Sequence, residues 1–229
     1  MKMTDIFEYL AARPYPGRGI LIGTSPDGSP LCAYFIMGRS ANSRNRVFEK
    51  TGDGIRTRAF DEAKMEDPSL IIYHPVRRLG RTLVVTNGDQ TDTIRDYLES
   101  GGSVYDALAS REFEPDAPNY TPRISGVVFP GGDFLLSILR ADGAEAPACE
   151  RFYFTYPPRT GTGRFISTYE GFGGPLPSFS GEPPAFAVPG LEAEPLAERL
   201  WACLDADNRV SLYVAAGARE ILINKNKER

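Results

Sequence analysis

The sequence predicts an α+β domain built mainly from antiparallel hairpins, with helices packed against the faces of the sheets. Short segments rich in β-branched and aromatic residues recur along the chain, and turn signals rich in glycine, proline and aspartate separate them. Helical periodicity, by contrast, is visible in only two regions. With 229 residues, the chain is long enough for one sizeable core, and we assign residues 1–229 to a single domain.

The first half of the chain is predicted to form three hairpins followed by a helical region. The six strands pair in chain order as residues 19–24 with 31–37, 47–50 with 55–60, and 70–76 with 81–86. The sequences SPDGSP, TGDG and RRLG supply the turns between them. Apolar residues at helical spacing then lie on both sides of a Gly101-Gly102 break, namely Ile94, Tyr97, Leu98, Val104 and Leu108.

The second half repeats this pattern and ends with a helix and a strand. Two further strand pairs are predicted, residues 124–129 with 134–139 around PGGD and residues 151–156 with 164–169 around PPRTGTG. The proline- and glycine-rich residues 171–190 are expected to form a surface loop or cover. An apolar face containing Leu196 and Leu200 predicts a helix over residues 194–204, and residues 209–215 read as a last strand.

Charge and hydropathy exclude several classes of partner. The formal net charge is −4, so attraction to nucleic acid or to an anionic membrane is not expected. No apolar run approaches the roughly 20 residues that a spanning helix needs. The beginning of the chain, MKMTDIFEYLAARPY, carries charges among its apolar residues and does not resemble a secretory signal peptide. We therefore expect a cytoplasmic protein whose partner is a small molecule.

Cysteine and histidine usage gives no sign of a metal site. Cys32, Cys149 and Cys203 are scattered without a CxxC pair, which favours reduced and mostly buried thiols. His74 is the single histidine, so a zinc site would depend on cysteines and carboxylates, whose spacing is unsuitable. A Ser-His-Asp arrangement would have to use His74 and is set aside.

The segment GRSANSRNR, residues 38–46, is a candidate anion-binding loop. It follows an apolar strand and contains three arginines, Arg39, Arg44 and Arg46, with no acidic residue. Guanidinium groups with neighbouring hydroxyl and amide groups suit a phosphate or carboxylate. The local charge of +3 repels itself, and an anion would relieve that repulsion. The alternative is a solvated polar loop.

The segment LVVTNGDQTDTI, residues 83–94, combines a strand, a turn and the start of a helix. Asp89 or Thr91 is expected to cap that helix. Asn87 and Gly88 add an amide and a permissive backbone at the end of a strand, where ligands commonly bind. Since Asp89 and Asp92 would repel a phosphate, a site here is expected to meet hydroxyls, amides or a proton to be transferred.

A third group of candidate residues is spread along the chain. It comprises Tyr73 and His74 in SLIIYHPVR, Glu114, Asp116 and Arg123 in FEPDAPNYTPRI, and Tyr169 and Glu170 in FISTYEG. A general acid or base is expected among these residues. The alternative for each tyrosine is an ordinary place in the core or at its rim.

These motifs resemble those of the archaeal-type IMP cyclohydrolases and their bacterial relatives. GRSANSRNR, IIYHP, VVTNGDQTDTI, NYTPRI and FISTYEG occur in the order and approximate spacing of that family, over most of residues 15–171. The resemblance implies a four-layer αββα sandwich similar to N-terminal-nucleophile hydrolases, with mostly antiparallel sheets. It also implies a homo-oligomer, a dimer or tetramer, and no metal or organic cofactor. The chain begins MKMT, so a nucleophile at position 1 is not expected.

The resemblance further implies ring closure of 5-formamidoimidazole-4-carboxamide ribonucleotide to inosine monophosphate and water. We assign the 5′-phosphate to the arginine loop, with Arg44 and Arg46 as main contacts and with Arg39, Ser40, Asn42 and Asn45 beside them. Asn87 and Gly88 would hold the carboxamide or formyl group, and Tyr73 and Arg123 would act on the formyl oxygen. Asp89, Asp92 and Glu114 compete as proton acceptor or ribose contact, and Thr91 completes the substrate-binding set. The alternatives are a non-catalytic purine-nucleotide-binding protein and an amide hydrolase with Cys32 as nucleophile.

Overall fold

The computed structural model describes residues 3–65, 68, 71–143, 147–170 and 176–226. The strands of this part of the chain are β1 Thr4–Asp5, β2 Arg18–Thr24, β3 Pro30–Met37, β4 Arg46–Thr51, β5 Gly54–Ala59, β6 Val76–Leu79, β7 Thr82–Thr86, β8 Arg123–Val128, β9 Phe134–Ala141, β10 Cys149–Tyr156, β11 Thr162–Ser167, β12 Ala185–Ala187, β13 Arg209–Ala216 and β14 Arg219–Asn224. The helices are α1 Ile6–Ala11, α2 Ala41–Arg44, α3 Gln90–Glu99, α4 Val104–Ala109 and α5 Ala193–Cys203, with a 3₁₀ turn at Glu62–Lys64.

The strands form two sheets of seven strands each. The first sheet has the order β1-β12-β11-β2-β3-β13-β14, and the second has the order β10-β9-β8-β7-β6-β5-β4. All ladders between named strands are antiparallel except the short pairing of β1 with β12. The mixed α and β fold with mostly antiparallel sheets, predicted from the sequence, is confirmed in the described residues.

Side chains alternate between the two faces of each strand, so apolar residues form one layer between the sheets and one on the outer face of each sheet. Ile22 and Val85 point between the sheets, whereas Leu21 and Val84 point to the outer faces. Helices α1 and α5 cover the outer face of the first sheet, and α3 and α4 cover that of the second. The sheets approach closely at Gly126, where an added Cβ would lie 2.5 Å from Cδ1 of Ile22. Burial of these faces on helices and on the facing sheet provides the main stabilisation.

One predicted hairpin has the wrong bounds, and another does not form. The strand assigned to residues 70–76 begins only at Val76 and continues through Leu79, so the turn consists of Gly80 and Arg81. Pro75 has no N–H to donate to a ladder, which explains why the strand does not start earlier; Leu70 lies outside the described residues. Residues 151–156 and 164–169 do not form a hairpin, because β10 belongs to the second sheet and β11 to the first. The two proline residues after Tyr156 end β10 and let the chain cross between the sheets.

The remaining helical and loop predictions agree with the structure to different degrees. Helices are present at α3, α4 and α5, close to the predicted positions. Within residues 171–190, residues 176–190 include the short strand β12, which pairs with β11, and residues 171–175 lie outside the described part. None of the helices in the described residues is long and apolar enough to cross a membrane.

Candidate active site

Buried polar side chains from both sheets and from the loops next to them form a group inside the protein. Four residues predicted from the sequence contribute to it and are at most 8% exposed, namely Arg46, Tyr73, Glu114 and Arg123. Glu114 interacts electrostatically with Arg46 and with Arg123, and Arg46 interacts in the same way with Tyr73. Arg18 and Tyr34 join them from the first sheet. We call these six residues the interior cluster.

Arg46 is the most deeply buried charged residue of the cluster. It is 0% exposed, and its Nε donates a hydrogen bond of 2.9 Å to the carbonyl oxygen of Ser43. Its Nη1 and Nη2 are buried and have no hydrogen-bond partner among the described residues. Burial, together with the like charge of Arg18, lowers the pKa of Arg46. Two adjacent donors on a buried cation form a fork that matches the oxygens of an anion.

The other arginines of the loop have different surroundings. Arg44 is exposed, and its Nε and Nη2 donate to the carbonyl oxygen of Gly38 at 2.8 Å and to Oδ1 of Asn208 at 2.9 Å. Arg39 is also exposed, and its guanidinium carbon lies 4.8 Å from the ring centre of Tyr15. Arg46 is therefore the arginine that the loop directs into the protein, and the other two remain at its surface.

The polar residues of the loop mostly serve its own conformation. The side chain of Ser40 accepts from the backbone N–H of Ser43, and the pair forms a capping box at the start of α2. Asn45 exchanges two hydrogen bonds of 2.8 Å with the backbone of Asp61. Oδ1 of Asn42 is buried and has no partner among the described residues, so it is an acceptor open to a ligand.

Glu114 has the ionisation behaviour expected of a proton-transfer group. Burial raises its pKa to about 7, against the attraction of Arg18, Arg123 and Arg46, while Asp116 adds to the rise. A carboxyl group with this pKa exchanges a proton readily near neutral pH. The local sequence FEPDAP reveals neither the burial of Glu114 nor the arginines that surround it.

Asn87 connects the loop before α3 to the start of β8. Its Nδ2 donates to the carbonyl oxygen of Pro122 at 2.9 Å, and its Oδ1 accepts from the backbone N–H of Ile124 at 2.8 Å and from Nε2 of Gln90 at 3.0 Å. The oxygen is thus saturated, and one N–H of the amide is left for another acceptor. Gly88 lies next to Nη1 of Arg123, so a side chain at this position would displace the guanidinium group of Arg123.

Asp89 orients Arg123. Its carboxylate accepts from Nη1 of Arg123 at 2.7 Å and from Nη1 of Arg111 at 2.8 Å. Nη1 of Arg123 also donates to Oε1 of Gln90 at 2.7 Å. Asp89 occupies the cap position of α3, yet its side chain makes no capping hydrogen bond. Because Arg123 holds the carboxylate, the predicted side-chain cap by Asp89 is wrong.

Thr91 and Asp92 are not drawn into the interior cluster. The hydroxyl of Thr91 lies 2.6 Å from that of Thr86 and also donates to the carbonyl oxygen of Gly88. Asp92 pairs instead with His74, whose Nδ1 is 3.1 Å from Oδ2 of Asp92. A half-exposed carboxylate and imidazole therefore form a separate group beside the loop.

Two members of the interior cluster were not predicted from the sequence. Tyr34 lies in an apolar strand, where a tyrosine is ordinarily a core residue, and its hydroxyl lies 2.9 Å from that of Tyr73. Arg18 starts β2, and its Nε is buried without a partner among the described residues. The only sequence signal for Arg18 was its place between two glycines in PGRG. Its approach to Glu114 depends on the packing of two distant segments.

Cys32 has the surroundings of an inert thiol. It lies within β3, is buried, and burial raises its pKa to about 12. A nucleophilic cysteine needs a thiolate, which this environment disfavours. Burial also raises the pKa of Cys149 and of Cys203. Among the described residues, no three histidine, cysteine or acidic side chains converge to hold a metal ion.

Comparison with known proteins identifies the family. The profile of the IMP cyclohydrolase-like protein family matches residues 15–220. A relative from Methanopyrus kandleri, named IMP cyclohydrolase, is 37% identical over 166 residues, which cover 68% of this chain and 75% of the relative. A relative of the same name from Methanocella arvoryzae is 32% identical, over 68% of this chain and 74% of the relative. Another, from Halobacterium salinarum, is 31% identical, over 59% of this chain and 68% of the relative. The family assignment made from the sequence motifs is confirmed: the chain belongs to the IMP cyclohydrolase-like family.

Proposed function

We propose that this protein closes the ring of 5-formamidoimidazole-4-carboxamide ribonucleotide to form inosine monophosphate and water. The observation that carries the proposal is Glu114, a buried carboxyl group with a pKa of about 7, which interacts electrostatically with Arg18, Arg46 and Arg123. Family membership supports the same reaction. Ring closure needs a group that accepts and returns a proton near neutral pH, together with donors that polarise a carbonyl oxygen.

Each step of the reaction has a candidate residue. The carboxamide nitrogen attacks the formyl carbon and loses a proton, which Glu114 accepts. Tyr73 protonates the formyl oxygen as it becomes the hydroxyl of a tetrahedral carbinolamine, and Arg123 stabilises the charge that develops there. The former formamide nitrogen then gives its proton to the phenolate of Tyr73, Glu114 returns its proton to the hydroxyl, which leaves as water, and the carbon–nitrogen double bond forms. Holding the two substituents together removes much of the entropic barrier.

The substrate's 5′-phosphate is assigned to Arg46, whose Nη1 and Nη2 have no partner in the described part of the chain and match the phosphate oxygens. Arg44 supports the loop through Gly38 and Asn208. Arg39, Ser40, Asn42 and Asn45 complete this side of the proposed site. On the other side, Asn87 offers one N–H to the carboxamide or formyl group next to Gly88, Asp89 holds Arg123, and Thr91 and Asp92 remain candidates for the ribose.

We also propose the larger arrangement that the family resemblance implies. Apolar contacts of α1 and α5 on one sheet and of α3 and α4 on the other support a four-layer αββα sandwich like that of N-terminal-nucleophile hydrolases. The proposal extends to a single domain over residues 1–229, to a homo-oligomer, and to a cytoplasmic location. Gel filtration with light scattering would measure the oligomeric state.

The reaction can be tested directly. Purified protein is incubated with the formamido ribonucleotide without added metal, and inosine monophosphate is followed by absorbance. Turnover above the spontaneous rate supports the cyclohydrolase. Tight nucleotide binding without turnover would instead favour a non-catalytic nucleotide-binding protein of the same fold.

Replacing Tyr73 by phenylalanine is expected to lower kcat about tenfold or more, with little change in KM. The lost hydroxyl is proposed to act on the formyl oxygen only as charge develops there, so its loss affects the transition state more than substrate binding. Steady-state kinetics separates the two parameters. An increase in KM at unchanged kcat would assign Tyr73 to binding alone.

Replacing Cys32 by serine is expected to leave kcat within about twofold of the wild type, because a buried neutral thiol takes no part in the reaction. A modest loss of stability is expected from the buried hydroxyl. The variant is assayed at a temperature well below its melting point. A large loss of kcat in a folded variant would favour the amide hydrolase with Cys32 as nucleophile.

A further inference from the structure

Tyr34, in the first sheet, contacts the proposed catalytic residue Tyr73, which lies in the segment between β5 and β6. It lies in β3, between Ile20 of β2 and Tyr213 of β13, and is 0% exposed. Its ring stacks on Phe48 with a centroid distance of 5.7 Å and an interplanar angle of 23°. Its hydroxyl lies 2.9 Å from that of Tyr73. The position of the hydroxyl is thus determined by strand pairing and by ring packing.

The backbone of Tyr73 is held by Thr57. The backbone N–H of Tyr73 donates to Oγ1 of Thr57 at 2.9 Å, and its carbonyl oxygen accepts from the backbone N–H of Thr57 at 2.9 Å. The phenol therefore reaches Tyr34 from a fixed backbone. Tyr34 lies in a strand of the first sheet and Tyr73 in the segment that precedes β6, so their hydroxyls meet through tertiary packing alone.

The surroundings favour Tyr34 as the donor once a substrate acceptor is present beside Tyr73. Among the described residues, the hydroxyl of Tyr34 hydrogen-bonds only that of Tyr73. Its charged neighbours Arg18 and Arg46 carry donors and no acceptor. Burial, above all, raises the pKa of Tyr34 well above its ordinary value, so its phenol keeps its proton. If Tyr73 donated to Tyr34, the buried hydroxyl proton of Tyr34 would have no acceptor among the described residues, which is unfavourable. If Tyr34 donates, the hydroxyl proton of Tyr73 is available to the substrate.

We propose that Tyr34 is a positioning residue, which donates its hydroxyl proton to the oxygen of Tyr73 and thereby directs the proton of Tyr73 to the substrate. This inference rests on the proposed function of Tyr73. As Tyr73 passes its proton toward the formyl oxygen, negative charge grows on the phenol oxygen of Tyr73. The hydrogen bond from Tyr34 strengthens with that charge, so its benefit is greatest in the transition state.

The test is a double-mutant cycle of kcat with Tyr34→Phe and Tyr73→Phe. Tyr34→Phe is expected to lower kcat about tenfold with KM changed less than twofold. In the Tyr73→Phe background, the same substitution is expected to have no further effect, because the acceptor is gone. Equal fractional losses in both backgrounds, or no loss in either, would overturn the inference.

Tyr213→Phe is the matched control. Tyr213 is equally buried, lies opposite Tyr34 in the neighbouring strand, and donates to Oε1 of Glu220 at 2.9 Å, away from Tyr73. Tyr213→Phe is expected to leave kcat unchanged. A loss of kcat equal to that of Tyr34→Phe would indicate a general disturbance of the core and would overturn the inference. If Tyr34→Phe does not fold, a ring-fluorinated tyrosine at position 34 keeps the shape and strengthens the donor. A lower kcat in that protein would overturn the inference.

The outcomes also separate this inference from the proposed function. Wild-type turnover with an additive cycle overturns the role of Tyr34 and leaves the cyclohydrolase intact. Absence of wild-type turnover overturns the proposed function, and the role of Tyr34 with it.

Discussion

Replacing Glu114 by glutamine is expected to lower kcat about a thousandfold while changing the affinity for the nucleotide little. Glutamine keeps the size and polarity of the side chain but cannot accept and return a proton. Single-turnover kinetics measures the chemical step, and equilibrium binding measures affinity. Glu112→Gln is the matched control, since Glu112 is exposed two residues earlier and no role is proposed for it. Retention of wild-type kcat in Glu114→Gln would remove Glu114 from the mechanism.

The pH dependence follows from the same group. Because the ionised carboxylate is the proton acceptor, kcat/KM of the wild type is expected to fall as the pH decreases through about 7. The residual activity of Glu114→Gln should lack this inflection. A profile that is flat between pH 6 and pH 8 in the wild type would contradict the assignment.

The stability of the fold should show the opposite dependence on pH. The pKa of Glu114 is raised from 4.5 to about 7 by folding, so the folded state holds its proton more tightly. Its contribution to stability is fully present below pH 4.5, decreases as the pH rises toward 7, and is absent above that pH. Relative to Glu114→Gln, the wild type is expected to lose roughly 3 kcal/mol of unfolding free energy across this range. Denaturant unfolding at several pH values measures the difference.

Replacing Arg46 by methionine is expected to weaken nucleotide binding at least about a hundredfold, because two charge-assisted hydrogen bonds to the phosphate are lost. The same substitution is expected to stabilise the free protein by about 1 to 4 kcal/mol, since it removes a buried guanidinium group whose Nη1 and Nη2 have no described partner. Weaker nucleotide binding together with higher stability would show that Arg46 serves ligand binding and destabilises the free protein.

Calorimetry gives the affinity of the Arg46 variant, and denaturant unfolding without ligand gives its stability. Arg56→Met is the control, because Arg56 is an exposed cation that pairs with Glu49 on the surface. That substitution should leave affinity unchanged and alter stability by less than about 1 kcal/mol. An unchanged Kd for Arg46→Met would contradict the assignment of the phosphate to Arg46.

The sequence predicted those parts of the fold that local signals encode. The turns SPDGSP, TGDG and PGGD connect the hairpins β2–β3, β4–β5 and β8–β9, and helical periodicity locates α3 and α5. The partners of β10 and β11 were not predictable in this way. Both strands have ordinary strand composition, and only contacts with β9 and β2, which are distant in sequence, assign them to different sheets.

The candidate site divides along the same line. Residue chemistry alone identified the arginine loop, the acidic turn after β7 and Glu114 as groups able to bind an anion or transfer a proton. Within one loop, however, Arg39 is exposed and Arg46 is fully buried, because only Arg46 starts a strand of the second sheet. Tyr34 was indistinguishable from a core tyrosine, since Tyr73, the residue that its hydroxyl contacts, is distant in sequence.

The sequence by itself therefore determined the family, the hairpins β2–β3, β4–β5 and β8–β9, and the chemical groups available to the site. Tertiary structure alone decided which of those groups meet and how they ionise. The pKa of Glu114 is the clearest case, because it depends on burial and on three arginines from separate segments. Burial and long-range charge are properties of the folded chain, and no short stretch of sequence carries them.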